Sequence, residues 1–310
     1  MIVSIALFLA GLLLVIFGSD YLVEGASGIA RRSGLSEFVI GLTIVGMGTS
    51  APEMVVSFIG AASGNADVAV GNVLGSNIFN TLLILGATAL ILPMEISRSN
   101  RLRDIPINLG ITILLLGLGL WGKGLGLWDG AVLLLCFVAY MVYTFKNGEN
   151  HHSEADGPQR ALWLQILMVA GGIAALIVGG RLFVDNAVSL ARSFGVSDKF
   201  IAITLLAGGT SLPELATCIA AAIKKKGQLA LGNIIGSNIF NVLLILGGSA
   251  LINPLSFADI SPVDMAALLA SALALLTACV VGRRNVLDRL DGVLFLLLWI
   301  AYMVYLSLHL

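Results

Sequence analysis

The sequence predicts an all-α integral membrane protein of ten transmembrane helices, arranged as two five-helix repeats of inverted topology. Three observations lead there: apolar runs of membrane-crossing length along the whole chain, a gapless internal repeat, and an odd number of runs in each copy. Composition identifies the solvent first. With 58% hydrophobic residues, 11% charged residues and 36 glycines in 310, and a mean hydropathy of +1.00, the chain suits lipid rather than water.

A hydrocarbon core of about 30 Å takes roughly 20 residues of helix. Apolar runs that serve lie near residues 2–30, 37–62, 67–92, 105–121, 126–145, 161–191, 199–223, 228–252, 262–282 and 290–308. Lipid cannot satisfy backbone amides, so such runs are helices; barrel strands would be half as long and would alternate in polarity. The first run opens without Lys or Arg, and Gly18, Ser19 and Asp20 lead into more helix, so it reads as a span rather than a cleaved signal. Cys136, Cys218 and Cys279 fall inside runs with no CxxC spacing and read as packing residues. The hydrophilic stretch 146–160, with His151 and His152, reads as a solvated linker between a first repeat, 1–145, and a second, 161–310.

Charge placement gives the orientation. On a ten-span arrangement, 13 of the 17 Lys and Arg residues fall on one side, among them Arg31, Arg98, Arg103 and Lys224; Lys123, Arg192 and Lys199 fall on the other, and Arg181 lies within a span. Positive charge collects in cytoplasmic loops, so the linker is cytoplasmic and both termini are extracytoplasmic, in a multi-pass protein of the inner or plasma membrane. Asp20, Glu24, Arg181 and Asp185 lie toward the ends of the long first and sixth spans, where snorkelling or interfacial salt bridges are expected.

Sliding the chain by 161 residues aligns Gly18–Pro93 with Gly179–Pro254 without a gap. GTSAPE at 48–53 falls on GTSLPE at 209–214, and GNVLGSNIFNTLLILG at 71–86 falls on GNIIGSNIFNVLLILG at 232–247, identical at 13 of 16 positions. With five spans per copy, the second copy enters the membrane from the opposite side, and equivalent segments meet near the bilayer centre.

The motifs supply oxygen. Glu53 and Glu214 stand well inside the second and seventh spans, where an ionised side chain costs at least about 2.5 kcal/mol and needs a partner. Pro52 and Pro213 remove a helical hydrogen bond and are expected to kink the spans, freeing carbonyls around Gly48 and Gly209. Thr49, Ser50, Thr210 and Ser211 add hydroxyls, completing the hard-oxygen set that Ca2+ prefers and Na+ accepts. In the second motif the glycines have small-xxx-small spacing, suited to close helix packing. Its asparagines each need a hydrogen bond or a ligand. Ser76 with Asn80, and Ser237 with Asn241, share a helix face four residues apart, which favours these four over Asn72 and Asn233.

These motifs, GTSxPE followed by GNxxGSNxxN in both halves, resemble those of the cation/Ca2+ exchanger superfamily. The resemblance implies ten helices in two inverted halves, a central ion cluster, and alternating access by movement of the first and sixth helices. Carried over by position, the cluster is Glu53, Glu214, Ser76, Asn80, Ser237 and Asn241, with Thr49, Ser50, Thr210 and Ser211 giving backbone or hydroxyl oxygens. One departure stands out: Asn241 occupies a place where some relatives carry Asp. The core then offers two negative charges, enough for one Ca2+ or two Na+.

The expected function is Ca2+/Na+ antiport, with no cofactor beyond the transported ions. Ca2+/H+ exchange through the same glutamates is the nearest alternative. A Ca2+ channel fits broken, repeated helices less well. A membrane enzyme fits poorly, since His151, His152 and His309 lie outside the spans and no Ser-His or HExxH arrangement falls within them. The partners are these ions and the bilayer; nothing points to nucleic acid or sets an oligomeric state.

Overall fold

The computed structural model describes residues 2–64, 66–122, 124–147, 160–193, 208–258, 260–281 and 285–309. Its helices are α1 (Ile2–Ser33), α2 (Glu37–Thr49), α3 (Ala51–Ala62), α4 (Val68–Ile91), α5 (Asn100–Gly122), α6 (Leu127–Asn147), α7 (Leu162–Ser193), α8 (Leu212–Ile223), α9 (Gly227–Ile252), α10 (Pro262–Val281) and α11 (Arg289–His309). Among the described residues, eight helices are long and apolar enough to cross a membrane, or nine with the bent pair α2–α3 taken as one span. The chain is thus an all-helical membrane protein. Of the run expected at 199–223, residues 199–207 lie outside the described residues, and α8 alone is shorter than a crossing helix. His151 and His152 also lie outside them.

The second run is not one kinked helix. It breaks at Ser50 (φ −80°, ψ 8°), and α2 and α3 meet at 48°. Pro52 sits in the first turn of α3, where a missing N–H is harmless and the fixed φ favours helix initiation. Pro52 therefore starts a helix instead of bending one. The same device recurs at Ser211 (φ −86°, ψ 8°) ahead of Pro213 in α8.

Burial sorts the bundle into centre and rim. The most apolar stretch of α9 is 94% buried and that of α4 72%, against 11% for α11, so the two helices carrying the asparagine motifs form the core. The rim faces lipid with residues such as Leu135 and Leu294, while Trp121, Trp128 and Trp163 stand exposed near helix ends, where amphipathic rings suit the membrane interface. Glycines permit the closest approaches. A Cβ on Gly172 would lie 2.7 Å from the Gly18 carbonyl oxygen, so the backbones of α1 and α7 touch. A Cβ on Gly232 or Gly236 would collide with the backbone of Phe38 or Leu42, which is how α9 lies flush on α2.

Two short ladders tie distant parts of the chain together. β1 (Met94–Glu95) pairs antiparallel with β4 (Val286–Leu287), and β2 (Gly124–Leu125) pairs with β3 (Leu255–Ser256). Each joins a loop of the first half to one of the second. Asp20 bridges Lys224 at 2.6 Å and Glu24 bridges Arg160 at 2.8 Å, the salt bridges expected of these acids.

Candidate cation site

Glu53 and Glu214 occupy the first turns of α3 and α8, and both are fully buried. A helix start suits a carboxylate, because unpaired N–H groups and the positive end of the dipole face it. The break at Ser50 and the helix start after Ser211 place both first turns in the buried interior of the bundle.

The two motifs grip one another crosswise. Ser50 Oγ donates to Glu214 Oε1 at 2.9 Å, and Ser211 Oγ donates to Glu53 Oε1 at 3.0 Å. Thr49 donates to Asn233 Oδ1 at 3.1 Å, and Thr210 to Asn72 Oδ1 at 3.4 Å. Each bond has its counterpart 161 residues along, with the halves exchanged.

Asn80 and Asn241 lie in π-helical stretches, Phe79–Ile84 and Asn241–Leu246. Such wide turns are frequent at functional sites. Asn80 Nδ2 donates to Asn238 Oδ1 at 3.2 Å, and Asn241 Nδ2 to Asn77 Oδ1 at 2.9 Å. Asn77 donates to the Asn238 carbonyl at 3.1 Å, and Asn238 to Thr81 Oγ1 at 2.9 Å. Asn80 and Asn241 thus each give an N–H to a neighbouring asparagine, and their own amide oxygens are left over.

That remainder marks the candidate site. Among the described residues ten buried side-chain oxygens have no hydrogen-bond partner, and five of them, Glu53 Oε2, Glu214 Oε2, Asn80 Oδ1, Asn241 Oδ1 and Ser76 Oγ, belong to the repeated motifs. Each such atom costs about 1–3 kcal/mol, and more when charged, so together they call for a positive partner. The donors are all oxygens, the preference of hard cations. No group of three or more His, Cys, Asp or Glu occurs among the described residues, so the set is two carboxylates with neutral oxygens around them.

Of the expected ligands, Glu53, Glu214, Asn80, Asn241 and Ser76 supply the unpartnered oxygens, and Ser50 and Ser211 hold the carboxylates. The Thr49 and Thr210 hydroxyls turn instead toward Asn233 and Asn72. Ser237 differs from Ser76: its hydroxyl donates to the Gly46 carbonyl at 3.4 Å. Asn72 and Asn233, ranked lower from the sequence, are supports; Asn72 Nδ2 donates to the Glu53 carbonyl at 3.2 Å and to Ser57 at 3.0 Å, and Asn233 Nδ2 to Cys218 at 3.3 Å. Asn77 and Asn238 went unranked, although they stand in the same repeated GSN triplet.

The family profile described as Sodium/calcium exchanger protein matches residues 3–146 and 164–308. A Methanosarcina acetivorans protein named sodium/calcium exchanger MaX1 is 32% identical, over 97% of this chain and 98% of its own. Inner membrane protein YrbG of Escherichia coli is 38% identical, over 82% of this chain and 81% of its own. Among solved structures, the sodium-calcium exchanger NCX_Mj soaked with Na+ and Ca2+ aligns with a TM-score of 0.86 at 35% identity, covering 98% of each chain.

Proposed function

The chain belongs to the sodium/calcium exchanger protein family, and from that premise we propose that it exchanges Ca2+ for Na+ by alternating access at one central site. The observation that carries the proposal is the set of buried motif oxygens without a hydrogen-bond partner: Glu53 Oε2, Glu214 Oε2, Asn80 Oδ1, Asn241 Oδ1 and Ser76 Oγ. Ca2+ takes about six to eight oxygens; Thr49, Ser50, Thr210, Ser211 and Ser237 offer further backbone or hydroxyl oxygens to complete the sphere. Na+ accepts the same ligands and competes for them.

Obligatory exchange follows from the charges. Two ionised carboxylates balance one Ca2+ or two Na+, whereas an empty site that kept both ionised would be a buried double anion without a counter-charge. Enclosing that anion on the way across is strongly disfavoured, so the site crosses loaded with cations or with protons. The activity is transport, not bond-making chemistry.

In this reading 1–145 and 161–310 are inverted five-helix copies joined by a cytoplasmic linker, 146–160, with both termini outside the cell membrane. The crosswise serine–glutamate and asparagine–asparagine bonds support it, because a two-fold axis carries each bond onto its counterpart. An axis in the membrane plane makes the inward-open and outward-open forms equivalent motions.

H+ is the rival coupling ion, since the same carboxylates take up protons. Purified protein in liposomes distinguishes the two. A Na+ gradient at equal pH should drive Ca2+ uptake; uptake driven only by a pH gradient would transfer the coupling to H+, and single-channel Ca2+ currents would replace antiport with a pore.

A further inference from the structure

We propose that the bundle holds one anionic glycerophospholipid at the end carrying Arg31, Arg98 and Arg103, with its phosphate in a polar cavity and an acyl chain in an adjoining apolar groove between α5 and α6. The polar cavity, about 730 Å³, is bounded by the end of α1, the start of α2, the loop after β1 and the start of α5. Arg31 and Arg98 line it, and among the described residues neither makes an ion pair. Of the two acids in the wall, Glu37 is bridged to Lys226 and Glu95 remains, so the lining leans positive. Guanidinium groups match phosphate oxygens in geometry as well as charge.

Arg103 joins this cavity to the second. Its guanidinium holds both carboxylate oxygens of Asp104 at 3.0 Å and lies 5.6 Å above the ring centre of Tyr143. Tyr143 lines a groove of about 500 Å³ that continues along Ile107, Ile111 and Leu114 of α5 and Cys136 and Ala139 of α6. These positions recur at helical spacing, so the groove follows the helices and begins one turn inward from Arg103. A Cβ on Gly110, on the groove wall, meets nothing within 4 Å among the described residues.

An apolar groove at hydrocarbon depth is filled by lipid tails in any case. What makes this one specific is its upper end, which opens beside a headgroup-sized cavity with two uncommitted arginines. Basic pockets between spans bind anionic headgroups on this principle. A zwitterionic lipid brings its own cation and gains less from the arginines, and a free phosphate ion leaves the groove unused.

Native mass spectrometry of the full chain, released from nanodiscs of phosphatidylethanolamine mixed with phosphatidylglycerol, tests the assignment. The parent should retain one phosphatidylglycerol in preference to phosphatidylethanolamine. The variant carrying Arg31→Gln and Arg98→Gln should retain at least about tenfold less, the scale for removing two cationic contacts at a lipid surface. Gly110→Leu should displace the lipid by filling the groove with no change of charge, which keeps a second test in hand should the arginine variant fold poorly. Equal retention of the two lipids by the parent, or undiminished retention by either folded variant, overturns the proposal. So does displacement by soluble glycerol phosphate as effective as by short-chain phosphatidylglycerol, which would make the cavity a site for free phosphate esters.

Discussion

Replacing Glu53 by Gln should move ion binding and folding stability in opposite directions. The shape is kept, and the new carbonyl can still accept the Ser211 hydroxyl that now lies 3.0 Å from Oε1. The charge is lost. In the ion-free protein both fully buried carboxylates have Oε2 unpartnered, and the variant replaces one of these charged oxygens with a neutral amide. Relief of one unsatisfied buried group is worth about 1–3 kcal/mol, so the ion-free variant should melt a few degrees higher than the parent. With Ca2+ the sign reverses. Removing one partner from a buried charge pair costs about 3–5 kcal/mol, a loss of two to nearly four orders of magnitude in affinity. At a Ca2+ concentration about one hundred times its dissociation constant, the parent gains about 2.7 kcal/mol from binding, while the variant gains less than about 0.5. Melting of purified protein with and without Ca2+ reads both effects, and flux in liposomes should fall with the second. Equal Ca2+-dependent stabilisation of the two proteins would remove Glu53 from the site, and a lower ion-free melting point would show that the unpartnered carboxylate oxygen does not burden the ion-free fold.

Asn241→Asp exchanges the amide that donates to Asn77 at 2.9 Å for a third carboxylate. It should lower the ion-free melting point and enlarge the rise that Ca2+ produces, and a melting curve insensitive to the change would place Asn241 outside the cluster. Gly236→Ala would put a methyl 2.7 Å from Leu42 Cα and 2.8 Å from its carbonyl carbon, against backbone that cannot swing aside. The expected loss is about 1–3 kcal/mol, the same with and without Ca2+; unchanged melting would show that α9 and α2 are less tightly packed than described. Lys224→Ala removes the 2.6 Å bridge to Asp20, but the acid's side chain is 52% exposed, so the melting point should stay within the shift of about 1 kcal/mol allowed to a solvated pair. A larger drop would make that bridge structural.

Much of the fold was legible because lipid imposes a coarse requirement that length and apolarity satisfy. The ends of α4, α6, α7, α9, α10 and α11 fall within about three residues of the runs read from hydropathy, an error expected of helix boundaries. α5 begins earlier, at Asn100 rather than 105, through a π-turn that hydropathy does not register. The candidate site was legible as letters: polar residues at matching places in two copies, inside segments that otherwise exclude them. Its wiring was not. The hydroxyls of Thr49 and Ser50 are adjacent in sequence yet serve an amide and a carboxylate on different helices.

Residue pattern alone therefore determined a membrane-embedded helical bundle, its duplicated motifs and the carboxylates, hydroxyls and amides drawn to its centre, because each follows from local composition and from repetition of the same letters. Tertiary structure alone decided that Pro52 begins a helix after a break at Ser50, that each serine holds the glutamate of the other half, and that the oxygens of Asn80 and Asn241 are left bare. These depend on which backbone and which N–H groups arrive from about 160 residues away. Such pairing is a property of packing, and no local pattern encodes it.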